Sequence, residues 1–368
     1  MTRTIGRRAL NRATLARQYL VERADVPVTA AVGHLVGLQA QAPAPPYVGL
    51  WSRLAGFTAA DLSDAMADRR VVRVVAMRGT IHTLTAADCL DLRARLRPVL
   101  DRQLAGQFRG RFDGLDRAAV AAAGRVLVED RPLTYAELGA ALAERFPGTK
   151  SELLGHVVRT DVTLVQVPPR GLWGRSGKAA HTTAESWLDA PSGTDDTPDP
   201  LVLRYLAAFG PATVADVQTW SGLTRLREVV ERLRPRLVTY VTEDGAELFD
   251  LPDAPRPDAD TAVPVRFLPQ WDNLLLSYAD RSRVLPDEYR PRVFASANGM
   301  VPGTVLVDGL VRGEWAHTAT RTAATLTVTP YRALSRRHES AVTAEAGRLA
   351  AFLAPDLPTD VRLAPVPD

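Results

Sequence analysis

A weak internal repeat is the feature that most constrains how this chain can fold. The pattern Pro-x-Thr-x-Ala occurs at residues 27–31, 132–136 and 211–215. Its threonine stands where a helix should begin, because the hydroxyl can accept a hydrogen bond from a free backbone N–H of the first turn. In the second copy, Glu137 also has the capping-box spacing. The repeat therefore predicts helix starts at Thr29, Thr134 and Thr213.

Each copy lies between a longer helix-like segment and a pair of strand-like segments. The preceding segments, 10–23, 117–130 and 200–210, have apolar residues every three to four positions, which is the helical period. The paired segments carry β-branched residues around glycine, as hairpins do. These pairs are 71–77 with 80–84, 162–167 with 171–175, and 237–241 with 246–251. Helix, turn, helix, helix, hairpin is the order of a winged helix, so the repeat predicts three tandem winged-helix units.

The last hundred residues have a different character. Short strand-like runs separated by Gly and Pro predict a small C-terminal domain resembling a β-barrel, closed by a helix at about 338–353. Linker-like stretches rich in Pro and Asp occur at 189–200 and 252–264. The predicted class is α+β, with domains at 1–100, 101–190, 191–255 and 256–368. The first domain holds the candidate catalytic motif described below.

The charges are sorted along the chain rather than mixed. The net charge is only +3, but 43 of the 45 basic residues are arginine, and acids gather in 189–200 and 243–260. Arginines concentrate in 1–23 and 93–117. This distribution can present a basic face to phosphates, although ordinary solvated surface is the alternative for each cluster.

Several functional classes find no support in the sequence. The chain has no apolar run long enough for a membrane span and no signal-peptide core, and Cys89 is its only cysteine, which suits a reducing cytoplasm. The segment 171–179 lacks the first glycine and the hydroxyl residue of a phosphate loop. The six histidines have no zinc-like spacing. We therefore expect a cytoplasmic monomer with no metal, no cofactor and no membrane partner.

Two glutamines, Gln39 and Gln41, flank one alanine just before a run of prolines. In a helix, residues two apart point about 200° apart, whereas in extended backbone they share one face roughly 6–7 Å apart. Pro43 forces extended geometry on Ala42, so we expect the helix to end near Ala40 or Gln41. Gln39 would then close the last turn, and Gln41 would turn back toward the same space. The alternative is that both amides cap the helix or face water.

Four segments together resemble the AlkZ/YcaQ-like family of bacterial DNA glycosylases, over about residues 8–360. They are LVGLQAQAPAPPYVGLWSRL, RVVAMRGTIHTLTAAD, FLPQWDNLLLSYADRSRV and VLVDGLVRGEWA. The resemblance implies three winged-helix units and a C-terminal β-barrel around a basic DNA channel. It also implies a catalytic Gln-x-Gln or Gln-x-Asp motif, and Gln39-Ala40-Gln41 matches the Gln-x-Gln branch. That branch is associated with self-resistance to natural products that alkylate and crosslink DNA.

Two uncharged amides suit an N-glycosidic bond that is already weakened. Alkylation at N7 of guanine or N3 of adenine makes the base a cation, so it leaves readily. Glutamines accept through the carbonyl and donate through the NH₂ group, and they can hold a water at the anomeric carbon. We therefore expect a monofunctional glycosylase for cationic alkylated purines in double-stranded DNA, with interstrand crosslinks as a further substrate in repair or self-resistance.

The other candidate residues are DNA contacts. Arg78 and His82 lie in the first predicted wing, and a structural hydrogen bond is the alternative for His82. Asp272 and Asn273 are instead expected to stabilise a domain junction, while Tyr278 replaces a histidine that relatives often have. The remaining candidate phosphate contacts are Arg281, Arg283 and Arg312. A non-catalytic winged-helix regulator is the alternative function.

Overall fold

The computed structural model describes residues 3–112, 114–296 and 298–366 and shows a mixed α and β chain. Its helices in the first half are α1 (Arg7–Arg17), α2 (Val28–His34), α3 (Pro45–Arg53), α4 (Ala59–Ala67), α5 (Ala86–Arg95), α6 (Arg97–Gln107), α7 (Arg117–Asp130), α8 (Tyr135–Arg145) and α9 (Ser151–Asp161). Those of the second half are α10 (Ala184–Leu188), α11 (Asp199–Phe209), α12 (Val214–Ser221), α13 (Leu226–Leu233), α14 (Asn273–Leu276), α15 (Arg290–Val293) and α16 (Arg336–Leu353).

The strands form three sheets. They are β1 (Arg3–Thr4), β2 (Leu38–Gln39), β3 (Val71–Val75), β4 (Ile81–Thr85), β5 (Leu164–Gln166), β6 (His181–Thr183), β7 (Val238–Val241), β8 (Glu247–Asp250), β9 (Arg266–Leu268), β10 (Gly303–Val307), β11 (Leu310–Ala319), β12 (Ala324–Pro330) and β13 (Thr359–Leu363). The sheet orders are β1-β7-β8, β2-β4-β3-β5-β6 and β13-β12-β11-β10-β9. The predicted mixture of α and β structure is confirmed.

Two of the three predicted helix caps are confirmed. The hydroxyls of Thr134 and Thr213 accept from the backbone N–H groups of Glu137 and Asp216, at 3.2 and 3.1 Å. Both carboxylates accept in return from the threonine N–H, which completes two capping boxes. The prediction for Thr29 is wrong, because α2 starts one residue earlier, with Pro27 as its cap residue. Thr29 therefore lies within the first turn.

The predicted hairpins are correct in the first and third units but not in the second. Strands β3 and β4 pair antiparallel, as do β7 and β8. The partner of β5 is β6 rather than 171–175. Residues 168–174 form turns that begin with Pro168 and Pro169, and φ is positive at Gly171, with 102°, and at Gly174, with 66°. Such backbone cannot continue a strand ladder.

The sheet pairings connect segments that are distant in sequence. Strands β3 and β5 pair directly, so the first two hairpins share one five-stranded sheet. The N-terminal strand β1 pairs parallel with β7. In addition, Arg17 on α1 donates two hydrogen bonds of 2.6 and 2.8 Å to the carboxylate of Asp250 at the end of β8. Both side chains are fully buried. The N-terminal segment thus packs with the third hairpin.

The C-terminal sheet is open. In the described part of the chain its edge strands, β9 and β13, have no pairing with each other, so the predicted closed, barrel-like domain is not found. Helix α16 covers one face, where Val342, Ala346 and Leu349 pack against Phe267 and Val305. This covering buries the apolar side of the sheet without closure, because a helix can bury a sheet face as well as a second sheet can. The predicted C-terminal helix is confirmed.

Candidate active site

Gln39 lies in the short edge strand of the first sheet, and Gln41 lies in a bend two residues later. Helix α2 ends at His34, earlier than predicted, and the chain then turns through Val36 and Gly37 with φ angles of 53° and 86°. Strand β2 follows, with Gln39 opposite His82 of β4. The prediction that Gln39 closes a helical turn is therefore wrong. The motif therefore follows the end of an edge strand and not the end of a helix, with Gln39 on the strand and Gln41 in the bend after it.

The prolines after the motif start the next helix. Residues 45 and 46 are the first two residues of α3. Proline suits this position because its missing N–H would have no partner inside the helix. The backbone of the motif is held at both polar groups of Ala40, since its N–H donates to the carbonyl of Ile81 at 2.7 Å. The guanidinium of Arg73 donates to the carbonyl of Ala40 at 2.8 Å.

Gln39 is almost buried, and its carboxamide has a defined orientation. Only 7% of the residue is exposed, and its Oε1 accepts a hydrogen bond of 2.7 Å from Arg78. A guanidinium can only donate, so the group facing it must be the amide oxygen. The NH₂ group of Gln39 consequently points away from Arg78, and within the described residues it has no hydrogen-bond partner.

Gln41 is oriented in the same way by a backbone donor. Its side chain is exposed, and its Oε1 accepts from the N–H of Ile81 at 2.9 Å. A backbone N–H is also a donor only, so again the NH₂ group is left free, as far as the described part of the chain extends. Both glutamines therefore offer two N–H donors and one remaining carbonyl lone pair each.

Arg78 is directed into the protein rather than toward solvent. Besides Gln39, its guanidinium donates to the carbonyl of Trp220 at 2.7 Å and to Oδ1 of Asn273 at 2.9 Å. Burial, reinforced by the nearby charge of Arg281, lowers the pKa of Arg78 to about 10, so it stays charged near pH 7. These contacts do not support the predicted direct contact between Arg78 and DNA.

The backbone at Arg78 is held in an uncommon conformation. Its φ of 55° lies in the left-handed region, which a residue with a side chain rarely adopts. Gln103 donates to the carbonyl of Arg78 at 2.7 Å, and Arg159 donates to that of Gly79 at 2.8 Å. Strain of this kind costs on the order of 1–3 kcal/mol and persists only where surrounding contacts impose it.

His82 is a structural residue. It is fully buried, with Nδ1 3.1 Å from the carbonyl of Thr80 and Nε2 3.4 Å from Arg78. Burial and the charge of Arg78 lower the pKa of His82 to about 3, so the ring is neutral. Nδ1 then donates and Nε2 accepts. The burial of the ring and its contacts fit the alternative of a structural hydrogen bond, and the contact between His82 and DNA stays a prediction.

The three other predicted phosphate contacts differ in exposure. Arg283 is only 4% exposed, donates to the carbonyl of Pro211 at 2.8 Å and pairs with Asp216 at 3.3 Å, so a phosphate cannot reach it. Arg281 is partly exposed and donates to the carbonyl of Leu275 at 2.8 Å. Arg312, on β11, is partly exposed, and no acidic partner is found for it among the described residues. Of these three arginines, Arg281 and Arg312 are the accessible ones, and their contact with phosphate stays a prediction.

Asp272 and Asn273 join the motif to the C-terminal part of the chain, as predicted. The carboxylate of Asp272 accepts two hydrogen bonds from Arg53 of α3, at 2.8 and 2.9 Å, and both residues are buried. Asn273 donates to the carbonyl of Gly37 at 3.2 Å while accepting from Arg78. Asn273 therefore also supports the orientation of Gln39, a role that the sequence analysis missed.

Two clefts open beside the motif. One, of about 550 Å³, is lined by Gln41, by Ile81 and by residues of α8 and α9. The other, of about 440 Å³, lies against Pro45 and Trp315. Within the described ranges, no group of three or more His, Cys, Asp or Glu side chains is arranged to hold a metal ion. No helix in the same ranges combines the length and apolarity needed to cross a membrane.

Two comparisons of the sequence with known proteins match most of the chain. A family model described as DNA glycosylase AlkZ-like matches residues 32–352. An "Interstrand DNA cross-link repair glycosylase" of Streptomyces sahachiroi is 28% identical over 358 residues, covering 91% of this chain and 93% of the relative.

A solved structure shares the fold. The "Streptomyces sahachiroi DNA glycosylase AlkZ" superposes with a TM-score of 0.76 at 22% identity, and the match covers 97% of this chain and 100% of that one. The predicted resemblance is confirmed, and the alternative of a non-catalytic regulator is not supported. This chain belongs to the AlkZ-like family of DNA glycosylases, enzymes that hydrolyse N-glycosyl bonds.

Proposed function

We propose that this protein is a monofunctional DNA glycosylase that removes cationic alkylated purines, chiefly N7-alkylguanine and also N3-alkyladenine, from double-stranded DNA. The observation that carries the proposal is the chemistry of Gln39 and Gln41. In the described structure, the polar groups that contact their side chains are a charged arginine and a backbone N–H, neither of which can take a proton from water. A site without a strong base needs a substrate whose leaving group is already activated.

The two amides act by position and polarity. Each carbonyl keeps a lone pair that can accept from the attacking water, and each NH₂ can donate to an acceptor atom of the nucleotide. Water adds to C1′ as the bond from C1′ to the purine nitrogen breaks, and the bonding electron pair neutralises the departing cation. The proton of the water is released to solvent. Because protein donors fix both amides before the substrate binds, they hold the water without reorganisation during the reaction.

Arg78 sets the orientation of Gln39, and its guanidinium is occupied by three acceptors of the protein itself. We assign Arg78 a positioning role rather than a direct one. Arg281 and Arg312 are proposed as phosphate contacts, because both are accessible. The enzyme is proposed to act as a cytoplasmic monomer, at sites of any sequence.

The proposal also includes interstrand crosslinks. The Streptomyces sahachiroi relative is named for crosslink repair, and it matches this chain over nearly its whole length. A base tethered to the opposite strand cannot be swung freely into an enclosed pocket. The exposure of Gln41 and the two open clefts beside the motif suit a lesion that stays in the helix. Self-resistance to a crosslinking natural product is the proposed setting.

The test is strand cleavage at abasic sites. The protein is incubated with DNA containing N7-methylguanine, the product is heated in alkali, and single-turnover rates are compared. Gln39→Ala and Gln41→Ala should each lower the rate at least about 100-fold, the usual loss when one preorganised polar group is removed. DNA affinity should stay within a few fold of wild type.

The matched control is Gln107→Ala, an exposed glutamine at the end of α6 and outside the motif. It should keep the wild-type rate. Full activity in both motif variants would exclude the assigned roles, and equal rates on N7-methylguanine and uracil would exclude the requirement for a cationic base.

A further inference from the structure

Arg73, on the middle strand β3 of the first sheet, is a buried cation without an anion. Only 2% of the residue is exposed, and no carboxylate in the described part of the chain forms an ion pair with it. Its Nη1 is buried and has no hydrogen-bond partner among the same residues. Burial, reinforced by the charge of Arg170, lowers the pKa of Arg73 to about 10, so the guanidinium is charged near pH 7. A buried charge with incomplete partners lowers stability, so stability alone does not account for an arginine here.

The segment that follows β5 encloses the side chain of Arg73. Gln166, which lies opposite Arg73 on β5, accepts a hydrogen bond of 3.0 Å from Nε. The turn at Gly171 packs on the aliphatic part of the side chain, since a Cβ added to this glycine would lie 2.5 Å from Cδ of Arg73. The carbonyl of Gly171 accepts in turn from the hydroxyl of Tyr47 at 2.7 Å. These contacts hold the guanidinium in place, with its Nη2 directed at the motif.

Nη2 of Arg73 occupies a carbonyl that the sheet would otherwise use. Strands β2 and β4 are antiparallel with Gln39 opposite His82, so the next pair in this register is Ala40 opposite Ile81. A hydrogen-bonded antiparallel pair exchanges two bonds, from the N–H of each residue to the carbonyl of the other. Among the described residues only one of the two is formed, from the N–H of Ala40 to the carbonyl of Ile81 at 2.7 Å. The carbonyl of Ala40 accepts from Arg73 at 2.8 Å.

The N–H of Ile81 that is left over is the donor that orients Gln41. It donates to Oε1 of Gln41 at 2.9 Å, so the side chain of Gln41 takes the place that the carbonyl of Ala40 would have in the ladder. The peptide unit that contains this carbonyl also leads into Gln41, and its six atoms are coplanar. Arg73 therefore controls both the direction of the backbone at Gln41 and the availability of the donor for its amide.

We propose that Arg73 is a positioning residue for the reaction, which holds the carbonyl of Ala40 out of the ladder so that Ile81 can orient Gln41. The inference rests on the catalytic roles proposed above for the two glutamines. Because Arg73 is buried, it acts through Gln41 and not on the DNA. Without Arg73, the carbonyl of Ala40 can return to the N–H of Ile81, and the amide of Gln41 loses its fixed orientation.

A double-mutant cycle tests the inference. Arg73→Met, Gln41→Ala and their combination are compared in the excision of N7-methylguanine at saturating enzyme under single-turnover conditions, and DNA affinity is measured alongside. Arg73→Met should lower the rate on the order of 100-fold, the loss that a displacement of about 1 Å at the reacting centre can cause. DNA affinity should stay within about twofold of wild type. In the Gln41→Ala background, Arg73→Met should lower the rate by less than about threefold, because the amide that it orients is already absent.

Arg93→Met is the matched control. Arg93, on α5, is also buried, burial lowers its pKa to about 10, and its Nη1 has no partner in the described part of the chain. It donates to the carbonyls of Arg159 and Thr160 at 2.8 Å each, and not to the motif. This variant should keep the rate within about threefold of wild type, even where the urea midpoint falls. The urea midpoints of both variants separate a loss of orientation from a loss of folded protein.

A second variant serves if Arg73→Met does not fold. The amide of Arg73→Gln ends where Nε of the arginine lies, so it can bond to Gln166 but is too short to reach the carbonyl of Ala40. The same rates are expected of it in both backgrounds.

The outcomes separate this inference from the proposed function. If Gln41→Ala is slow but Arg73→Met keeps the wild-type rate, the inference fails alone. If Arg73→Met slows Gln41→Ala by the same factor as it slows wild type, or if Arg93→Met loses as much rate, Arg73 does not act through Gln41, and the inference is again wrong. If wild type does not excise N7-methylguanine, or Gln41→Ala keeps the full rate, the proposed function fails, and this inference fails with it.

Discussion

Arg78 determines the orientation of the Gln39 carboxamide, and its guanidinium donates to acceptors in three separated parts of the chain. Its acceptors, Gln39, Trp220 and Asn273, are up to 195 residues away in sequence. Because the guanidinium only donates, it selects the carbonyl of Gln39 and turns the NH₂ group toward the open side. A glutamine here therefore differs from a glutamate of the same size, which would satisfy Arg78 but would donate nothing.

We expect Gln39→Glu to be nearly as inactive as Gln39→Ala. The carboxylate keeps the hydrogen bond to Arg78 and forms an ion pair with it, but both N–H donors are lost, which should lower the single-turnover rate about 100-fold. The measurement is excision of N7-methylguanine, with Gln107→Glu as the control for an added charge. A rate equal to or above wild type would mean that the group at position 39 works as an acceptor or a base.

Strand β2 places Gln39 at the edge of the sheet. Gly37 allows the turn that separates this strand from helix α2. The residue has φ 86°, and a Cβ added there would lie 2.3 Å from the side chain of Leu84 and 2.8 Å from the carbonyl of Thr83. Only glycine fits, since both the backbone conformation and the space exclude a side chain. The helix signal read in the sequence up to Ala40 is overridden at this point.

Gly37→Ala should therefore lower both stability and activity. The left-handed conformation alone costs about 1–2 kcal/mol for alanine, and the overlap with β4 adds to it, so we expect a loss above about 2 kcal/mol in the free energy of unfolding. Urea denaturation measures it. Gly56→Ala is the matched control, since Gly56 has φ 64° but nothing within 4 Å of an added Cβ. Equal losses in the two variants would mean that the contact with β4 is unimportant.

At the scale of the whole molecule, buried arginines and histidines tie the units together. The pairs Arg17 with Asp250 and Arg53 with Asp272 cross between segments more than 200 residues apart. His82 and His181 lie inside the sheet shared by the first two hairpins, and burial lowers their pKa to about 3 and about 4. Both rings are therefore neutral in the folded protein over the whole physiological range.

These histidines predict a loss of stability in mild acid. Their folded pKa lies below the unfolded value of about 6.5, so the unfolded chain binds more protons, and stability falls as the pH drops below about 6.5. Between pH 7 and pH 5 the loss is on the order of 2 kcal/mol for each such histidine. Urea denaturation at the two pH values measures it. His82→Gln should reduce the pH dependence, and His338→Gln, at a partly exposed position outside that sheet, should not. An unchanged dependence in His82→Gln would contradict the buried neutral ring.

The sequence predicts helix caps and hairpins correctly where the interacting residues are close together in the chain. The helix caps at Thr134 and Thr213 and the hairpins β3-β4 and β7-β8 depend on residues within a few positions of one another, so a single segment specifies them. The four segments quoted above were enough to identify the family. The glutamine pair was found because its chemistry is unusual, although the reason given for its geometry was a helix end rather than a strand.

The sequence by itself thus determined the secondary elements with strong local caps and turns, the family, and the candidate pair at residues 39 and 41. Only the tertiary structure decided that two hairpins share one sheet, that β1 pairs with β7, and that the C-terminal sheet stays open under α16. It also decided that His82 and Arg283 are buried and that Arg78 orients Gln39. The physical reason is that a hydrogen bond between segments hundreds of residues apart depends on how every intervening element packs, and no local pattern records that.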